Sequence, residues 1–347
     1  MFAKAWIEGL ALKSTARTFI ALALFWACLL PAGAHANSEI SYFRIGTGGI
    51  AGTYYPIGGL IAQWVSNPPG SRPCDEGGSC GVPGLISVAQ AANGSVSNVK
   101  AVGQGDLESG FAQSDVTYWA YSGTEIFSKT ESIRNLRAIG SLYRESFHLV
   151  ARKGSGIASL QDLRGKRVSL DEPGSGTLGD ARIILKAFGL SEKDLRPEYV
   201  KPEVAVEKIK NDQLDAYFIV AGYPTKSVKD LTSTIGAELI PISGPAIEPV
   251  VAKYGFFAQD TIPAGVYAGI GETKTLSVRA IWVVDDKLDP ELVYQVTKAV
   301  WNPKARLLFD KGHPKAVEIT VDSALDGIGI PLHPGAKRYY REIGLLK

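Results

Sequence analysis

The run Ser41-Tyr-Phe-Arg-Ile45, Gly46-Thr-Gly-Gly-Ile-Ala-Gly52, Thr53-Tyr-Tyr-Pro-Ile-Gly58 decides the fold class. Residues suited to a strand lead into a corner of small residues. The corner opens a segment whose apolar spacing predicts a helix over Tyr54 to Val65. Pro56 fits the first turn of that helix, where a missing N–H costs nothing. The same pattern returns downstream. Leu107 to Ala112 leads through Gln113-Ser114-Asp115 into Val116 to Tyr121. Lys166 to Leu170 leads through Asp171-Glu-Pro-Gly-Ser-Gly176 into a helix predicted over Leu178 to Phe188. Thr177 and Asp180 have capping-box spacing there, and Gly189 closes the helix. Asp215 to Val220 leads through Ala221-Gly222-Tyr223 into a helix opened by Pro224. Alternating strands and helices predict an α/β fold with mainly parallel strands. Ligands of such sheets bind beyond the carboxyl ends of the strands, where all four corners lie.

A weak internal echo points to two similar lobes. Leu107-Glu-Ser-Gly-Phe111 precedes Gln113, as Leu214-Asp-Ala-Tyr-Phe218 precedes Gly222. The Pro-, Gly- and Cys-rich segment Ser66 to Gly84 reads as an insertion into the first. Pro241 to Gly271 reads as a long surface excursion, Ser277 to Val284 as a strand and Pro290 to Trp301 as a helix. A final helix is expected after Pro334.

Of the 347 residues, 45% are apolar and 21% charged, which excludes a disordered or low-complexity chain. Lys4, Lys13 and Arg17 precede the uncharged run Phe19 to Leu30, followed by Ala34-His35-Ala36. This is the pattern of a cleaved secretory signal over residues 1–36, and it predicts an exported protein. Cys28 in that run is a candidate lipid-anchor site. Residues 1–36 carry three of the 37 basic residues and one of the 35 acidic ones, which leaves 34 of each. A balanced chain without a basic stripe speaks against nucleic-acid binding. Two cysteines remain, in Cys74-Asp75-Glu76-Gly77-Gly78-Ser79-Cys80. In an exported chain such a pair reads as a disulfide; a metal site would want His or further Cys nearby. No metal or cofactor is expected.

Gly46-Thr47-Gly48 with Ala51 imitates a dinucleotide fingerprint, but Asn67-Pro68-Pro69-Gly70 stands where its acidic residue belongs. A nucleotide-dependent enzyme is therefore the alternative function, motivated by this loop alone. Glu172-Pro-Gly-Ser-Gly-Thr177 lacks the Lys of a phosphate loop, and Pro173 removes Ser175 from a nucleophile elbow. His148, His313 and His333 are far apart in sequence and read as structural, and no catalytic constellation emerges. What the corners do offer is close backbone approach at Gly and unpaired N–H groups at helix starts.

Taken in order, the motifs resemble the TAXI-type solute receptors of tripartite ATP-independent periplasmic (TRAP) transporters. The matching blocks are Arg44-Ile-Gly-Thr-Gly-Gly49, Gly52-Thr-Tyr-Tyr-Pro-Ile-Gly58, Gly94-Ser-Val and Asn98, Gln113-Ser-Asp-Val116 and Gly140-Ser-Leu-Tyr143. They continue through Asp162-Leu-Arg-Gly-Lys-Arg-Val168, Glu172-Pro-Gly-Ser-Gly-Thr177, Leu214-Asp-Ala-Tyr-Phe218 and Gly222-Tyr-Pro-Thr225, then Ile262-Pro-Ala-Gly-Val-Tyr267 and Pro331-Leu-His-Pro-Gly-Ala336. Arg144 stands where that family often has Pro, and Asp171 where a small residue is usual, so both put charge near the expected cleft. The resemblance implies a two-lobed periplasmic binding protein of type II-like fold, each lobe a sheet flanked by helices. It implies no enzymatic activity. A monomer would carry a small carboxylate or amino acid (glutamate, glutamine or 2-oxoglutarate) to the permease subunits of a TRAP transporter. A surface interaction protein that keeps the fold without a ligand is a further alternative, favoured if Asp171 or Arg144 blocks the cleft.

The expected boundaries are lobe 1 over residues 38–142 and 255–347 and lobe 2 over 143–254, with hinges near Ser141–Ser146 and Pro249–Phe257. Thr47, Gly48, Gly49, Thr53, Tyr54, Gln113 and Ser114 are expected to line the first side of the cleft. Ser175, Gly176, Thr177 and Tyr223 are expected on the second.

Overall fold

The computed structural model describes residues 40–347. The secretory signal expected at 1–36, with Cys28, lies outside the described residues. β1 (Ser41–Gly46) is followed by α1 (Tyr54–Val65), β2 (Leu85–Gln90), α2 (Ser95–Gln104), β3 (Ser109–Gln113) and α3 (Ser114–Ser122). The long β4 (Leu136–Arg152) leads to β5 (Arg167–Ser169), α4 (Gly176–Ala187), β6 (Arg196–Glu198), α5 (Pro202–Lys210) and β7 (Ala216–Ala221). Next come α6 (Lys226–Thr234), β8 (Ala237–Ile240), α7 (Glu248–Lys253), β9 (Ala258–Ile262) and a second long strand, β10 (Thr273–Asp285). The chain ends with α8 (Pro290–Val300), α9 (Arg306–Gly312) and α10 (Pro334–Glu342).

The strands form one ten-stranded mixed sheet in the order β2-β1-β3-β10-β4-β7-β5-β6, with β8 on β4 and β9 on β10. β2, β1 and β3 are mutually parallel, as are β7, β5 and β6. Each parallel half carries the repeated strand–corner–helix pattern. The halves are joined by β4 and β10, which run antiparallel to each other and to the strands beside them. Long strands that change partner along their length give continuity that the pattern of short strands did not reveal. On β4, residues 136–141 lie beside the end of β10 that pairs with β3, whereas 146–151 pair with β7.

That continuity corrects two expectations. The return to the first half falls within β10, near Ser277–Ala280, rather than at Pro249–Phe257. Residues 258–262 still pair with 273–277, and only 280–284 reach β3. Pro241 to Gly271 is also no mere surface excursion. Ile242, Ile247, Val250, Phe257 and Tyr267 are buried, and Tyr254, Phe256 and Phe257 pack edge-on about Trp119 of α3 at 6.1–6.5 Å. Apolar side chains at irregular spacing have no helical or strand period to announce them, so burial there needs a partner from elsewhere in the chain.

Three apolar cores follow from the layers. One covers the first half, where Phe43, Ile57, Phe111 and Trp282 meet Val293, Phe309 and Tyr340 of the C-terminal helices. A second covers the outer face of the other half, with Val150, Val206, Tyr217, Leu231 and Tyr267. The third runs under both halves, from Val99 and Trp119 to Leu149, Leu170 and Leu185. The helix expected to begin at Leu178 begins at Gly176, capped by Ser175, whose hydroxyl accepts the Leu178 N–H at 3.2 Å. Thr177 is not the cap: its hydroxyl instead accepts the Val220 N–H at 3.1 Å and ties α4 to β7.

Cys74 and Cys80 are bonded to each other. Closing so short a loop removes little unfolded-state entropy, so reduction is expected to cost about 2 kcal/mol at most. Unfolding with and without dithiothreitol should therefore shift by only a few degrees. A collapse of the whole fold on reduction would contradict this. Among the described residues, no helix is long and apolar enough to cross a membrane and no group of His, Cys, Asp or Glu is arranged to hold a metal.

Candidate functional site

The corners after β1, β3 and β5 converge on a partly open cavity of about 60 Å³ between the halves. Gly48, Gly49, Thr53 and Tyr54 come from the corner after β1, Gln113 from the end of β3, and Ser175, Gly176 and Thr177 from the start of α4. These are eight of the eleven residues expected at the cleft, and the structure brings them together. Each corner lies at the carboxyl end of its strand, so the first-turn N–H groups of the next helix point toward the space.

Thr47, Ser114 and Tyr223 do not line it. Thr47 is fully buried and its hydroxyl donates to the Gln90 carbonyl at 2.8 Å, holding β1 to β2. The Ser114 hydroxyl accepts the Arg279 N–H at 3.2 Å and pins β10. Tyr223 faces an open groove with Arg144 and Asp260, where the Lys315 ammonium sits 3.9 Å from its ring centre. In each case the residue type was right for ligand contact, but backbone direction at the corner turned the side chain elsewhere.

The wall also contains residues that sequence reasoning did not select: Asn93, Ser95, Glu145, Pro202 and Ile219. Glu145 is the most consequential. Its neighbour Arg144 was the charge noted from sequence, yet the Arg144 side chain is 57% exposed and pairs with Glu318, whereas Glu145 is 1% exposed. Alternation along a strand sends neighbouring side chains to opposite faces. That rule, applied to β4, was the available signal. Asp171 does line the cavity, at 7% exposure and with φ of 72°, a left-handed conformation that Asp tolerates better than most residues. Neither Asp171 nor Arg144 closes the space.

Hydrogen bonds knit the wall. The Tyr54 hydroxyl donates to Glu145 Oε2 at 2.7 Å, and Ser95 Oγ donates to Gln113 Oε1 at 3.1 Å. Gln113 Nε2 crosses to the other half and donates to Asp180 Oδ2 at 2.5 Å. Other bonds cross beside it. Thr53 Oγ1 donates to the Gly222 carbonyl at 2.5 Å, Thr225 Oγ1 to the Ala51 carbonyl at 2.9 Å, and Ser97 N–H to the Gly174 carbonyl at 2.9 Å. The halves are thus closed on each other. Thr225→Val should remove one such latch at a cost of about 1 kcal/mol and weaken any ligand held in the closed form by roughly fivefold. Calorimetry on the variant checks this; tighter binding would contradict it.

Burial dominates the electrostatics. It pushes the Glu145 carboxyl up to about 8 and Asp171 up to about 7. Asp115 of α3 and Asp180 of α4 face each other across the halves, fully buried, and burial raises both. Two such neighbours cannot both ionise, so the pair keeps at least one proton. The histidines fill structural places. His148 is buried between the Ser146 carbonyl at 2.8 Å and the Tyr267 hydroxyl at 3.0 Å, and the His313 and His333 rings each accept a backbone N–H at a helix start.

Two α/β halves bridged by two long strands, with a cavity between them, define the fold class. Solved structures share the fold. PhnD1 of Prochlorococcus marinus in complex with methylphosphonate matches with TM-score 0.50 and 10% identity over 88% of this chain and 99% of that one. A Bordetella bronchiseptica protein matches with TM-score 0.51 and 15% identity over 87% and 98%. The alkanesulfonate-binding protein SsuA of Xanthomonas axonopodis pv. citri, bound to MOPS, matches more loosely, with TM-score 0.44 and 15% identity over 82% and 85%. The family model described as NMT1-like matches residues 45–344, and the chain belongs to the NMT1-like family.

Proposed function

We propose that this chain is a periplasmic receptor that closes around a small solute, an amino acid or a carboxylate of the glutamate, glutamine or 2-oxoglutarate class, and presents it to the permease subunits of a TRAP transporter. The observation that carries the reading is the cavity itself. It is walled by corners from both halves and shut by hydrogen bonds that exist only when the halves meet. The lobes are taken as residues 40–143 with 279–347, and 146–276, turning about the middle of β4 and β10. Opening would break the crossing bonds. A solute touching both sides would replace part of their contribution, which shifts the population toward the closed form. The TRAP assignment rests on the ordered motifs from Arg44 to Ala336. Export rests on the secretory pattern of residues 1–36.

The test is native mass spectrometry of protein purified without denaturation, followed by a thermal-shift screen of amino acids and small carboxylates. A retained small molecule, or a probe that raises the melting temperature at micromolar concentration, is the expected result. A folded protein indifferent to every probe would overturn the reading.

A further inference from the structure

We propose that the solute carries a protonated amine, seated against the carboxyl group of Glu145, and that the cavity discriminates against dicarboxylates of equal size lacking that amine. The proposal rests on the receptor reading above and narrows its solute.

The lining holds three carboxyl side chains, Glu145, Asp171 and Glu172, and neither Lys nor Arg. Glu172 is already matched by Lys201 at 3.5 Å. The other two are more than nine-tenths buried. Asp171 is met by the Glu172 N–H, at 2.8 Å from Oδ1, and by the Ser175 and Thr177 hydroxyls. Glu145 Oε2 takes the Tyr54 hydroxyl at 2.7 Å, and among the described residues Glu145 Oε1 receives no hydrogen bond from the chain. Glu145 belongs to the cavity wall, so its free oxygen is left for the contents. Behind the Gly49 corner, Glu203 Oε2 is a further buried oxygen without a partner.

The surroundings supply no compensating cation. Facing Glu145 are Tyr54 from α1, Asp115 from α3, Asp180 from α4 and Tyr143 from its own strand. Lys315, whose charge acts on it, is engaged by Glu318 at 2.7 Å. Facing Asp171 are Glu172, Ser175 and Thr177. A buried carboxylate without a partner is costly, so each of these groups either keeps a proton or takes a cation. Both carboxyls are raised for this reason, which agrees with the geometry. An ammonium placed against Glu145 restores its ionised form and expels a proton. A second anion there meets like charge instead. The first-turn N–H groups of Gly176 and Thr177 remain available to the solute's own carboxylate. The arrangement therefore suits a zwitterion and refuses a dianion.

Isothermal titration of the exported chain, freed of retained solute by dialysis, decides it. The probes are L-glutamate, L-glutamine, L-ornithine, 4-aminobutyrate, 2-oxoglutarate and glutarate, at about pH 6 and about pH 8, in buffers of differing ionisation enthalpy. At least one amine-bearing probe is expected to bind about tenfold or more tighter than both dicarboxylates, more tightly at the higher pH, with net proton release. Glu145→Gln should weaken that probe by about tenfold. If that variant fails to fold, proton release by the native chain still decides. Binding of 2-oxoglutarate or glutarate as tight as any amine overturns the inference and leaves the receptor standing. No binding by any probe to the folded protein removes both.

Discussion

Gly176→Ala is expected to weaken solute binding by roughly 10- to 100-fold while both halves of the molecule stay folded. A Cβ at this position would overlap the Gln113 Oε1 atom and lie 3.1 Å from Ser95 Oγ. Gln113 cannot readily give way. Its own N–H and Oε1 are tied to Ser95, and its Nε2 to Asp180. Gly176 opens α4, and alanine suits a helix better than glycine, so the substitution favours its own element and opposes only the closed arrangement. Overpacking of this kind costs roughly 1–3 kcal/mol, here charged entirely to closure. Calorimetry should show the affinity loss, and small-angle scattering should show a more extended average shape. Unchanged affinity would mean that the two corners do not meet in the bound form.

The second large effect is on stability against pH. Glu145→Gln is expected to stabilise the solute-free protein by on the order of 4 kcal/mol near pH 8.5 and by little near pH 4. Burial lifts the folded carboxyl from 4.5 to about 8. The folded chain therefore binds the proton more tightly than the unfolded chain does. Stability from this group is complete below about pH 4.5 and is lost as pH rises through about 8. Gln keeps an acceptor for the Tyr54 hydroxyl and carries no charge, so it escapes the loss. Urea unfolding of parent and variant at both pH values measures the difference. A variant no more stable at high pH would show that Glu145 is ionised and satisfied in the folded state. The same variant is expected to lose affinity for an amine, so stability and binding move in opposite directions. That is the expected behaviour of a residue held in place for its ligand rather than for the fold.

Much of the site was legible because its corners are local objects. A strand, a run of small residues and a helix start occupy some fifteen consecutive positions, and glycine at a close approach leaves a mark that any reader can see. Gly48, Gly49, Thr53, Gln113, Ser175, Gly176 and Thr177 were found in this way and do share one cavity. Thr47, Ser114 and Tyr223 belong to the same corners and point elsewhere. Composition marks a corner but not the direction of each side chain within it. Asp180 illustrates a different limit. At capping-box spacing it read as part of a helix start, yet it is fully buried and joined to Gln113, a residue 67 positions away.

The sequence by itself determined the α/β class, the repeated strand–corner–helix units, the pairing of the cysteines and the end of the sheet at which the corners gather. All of these depend on side-chain period and turn chemistry within a short window. Only the tertiary structure decided that two long strands fuse the halves into one sheet, that Glu145 rather than Arg144 faces inward, and that three carboxyl groups share a cavity without a lining cation. These depend on which distant segments become neighbours. Charge acquires its meaning from burial and from the partner opposite, and neither is written in the order of the residues.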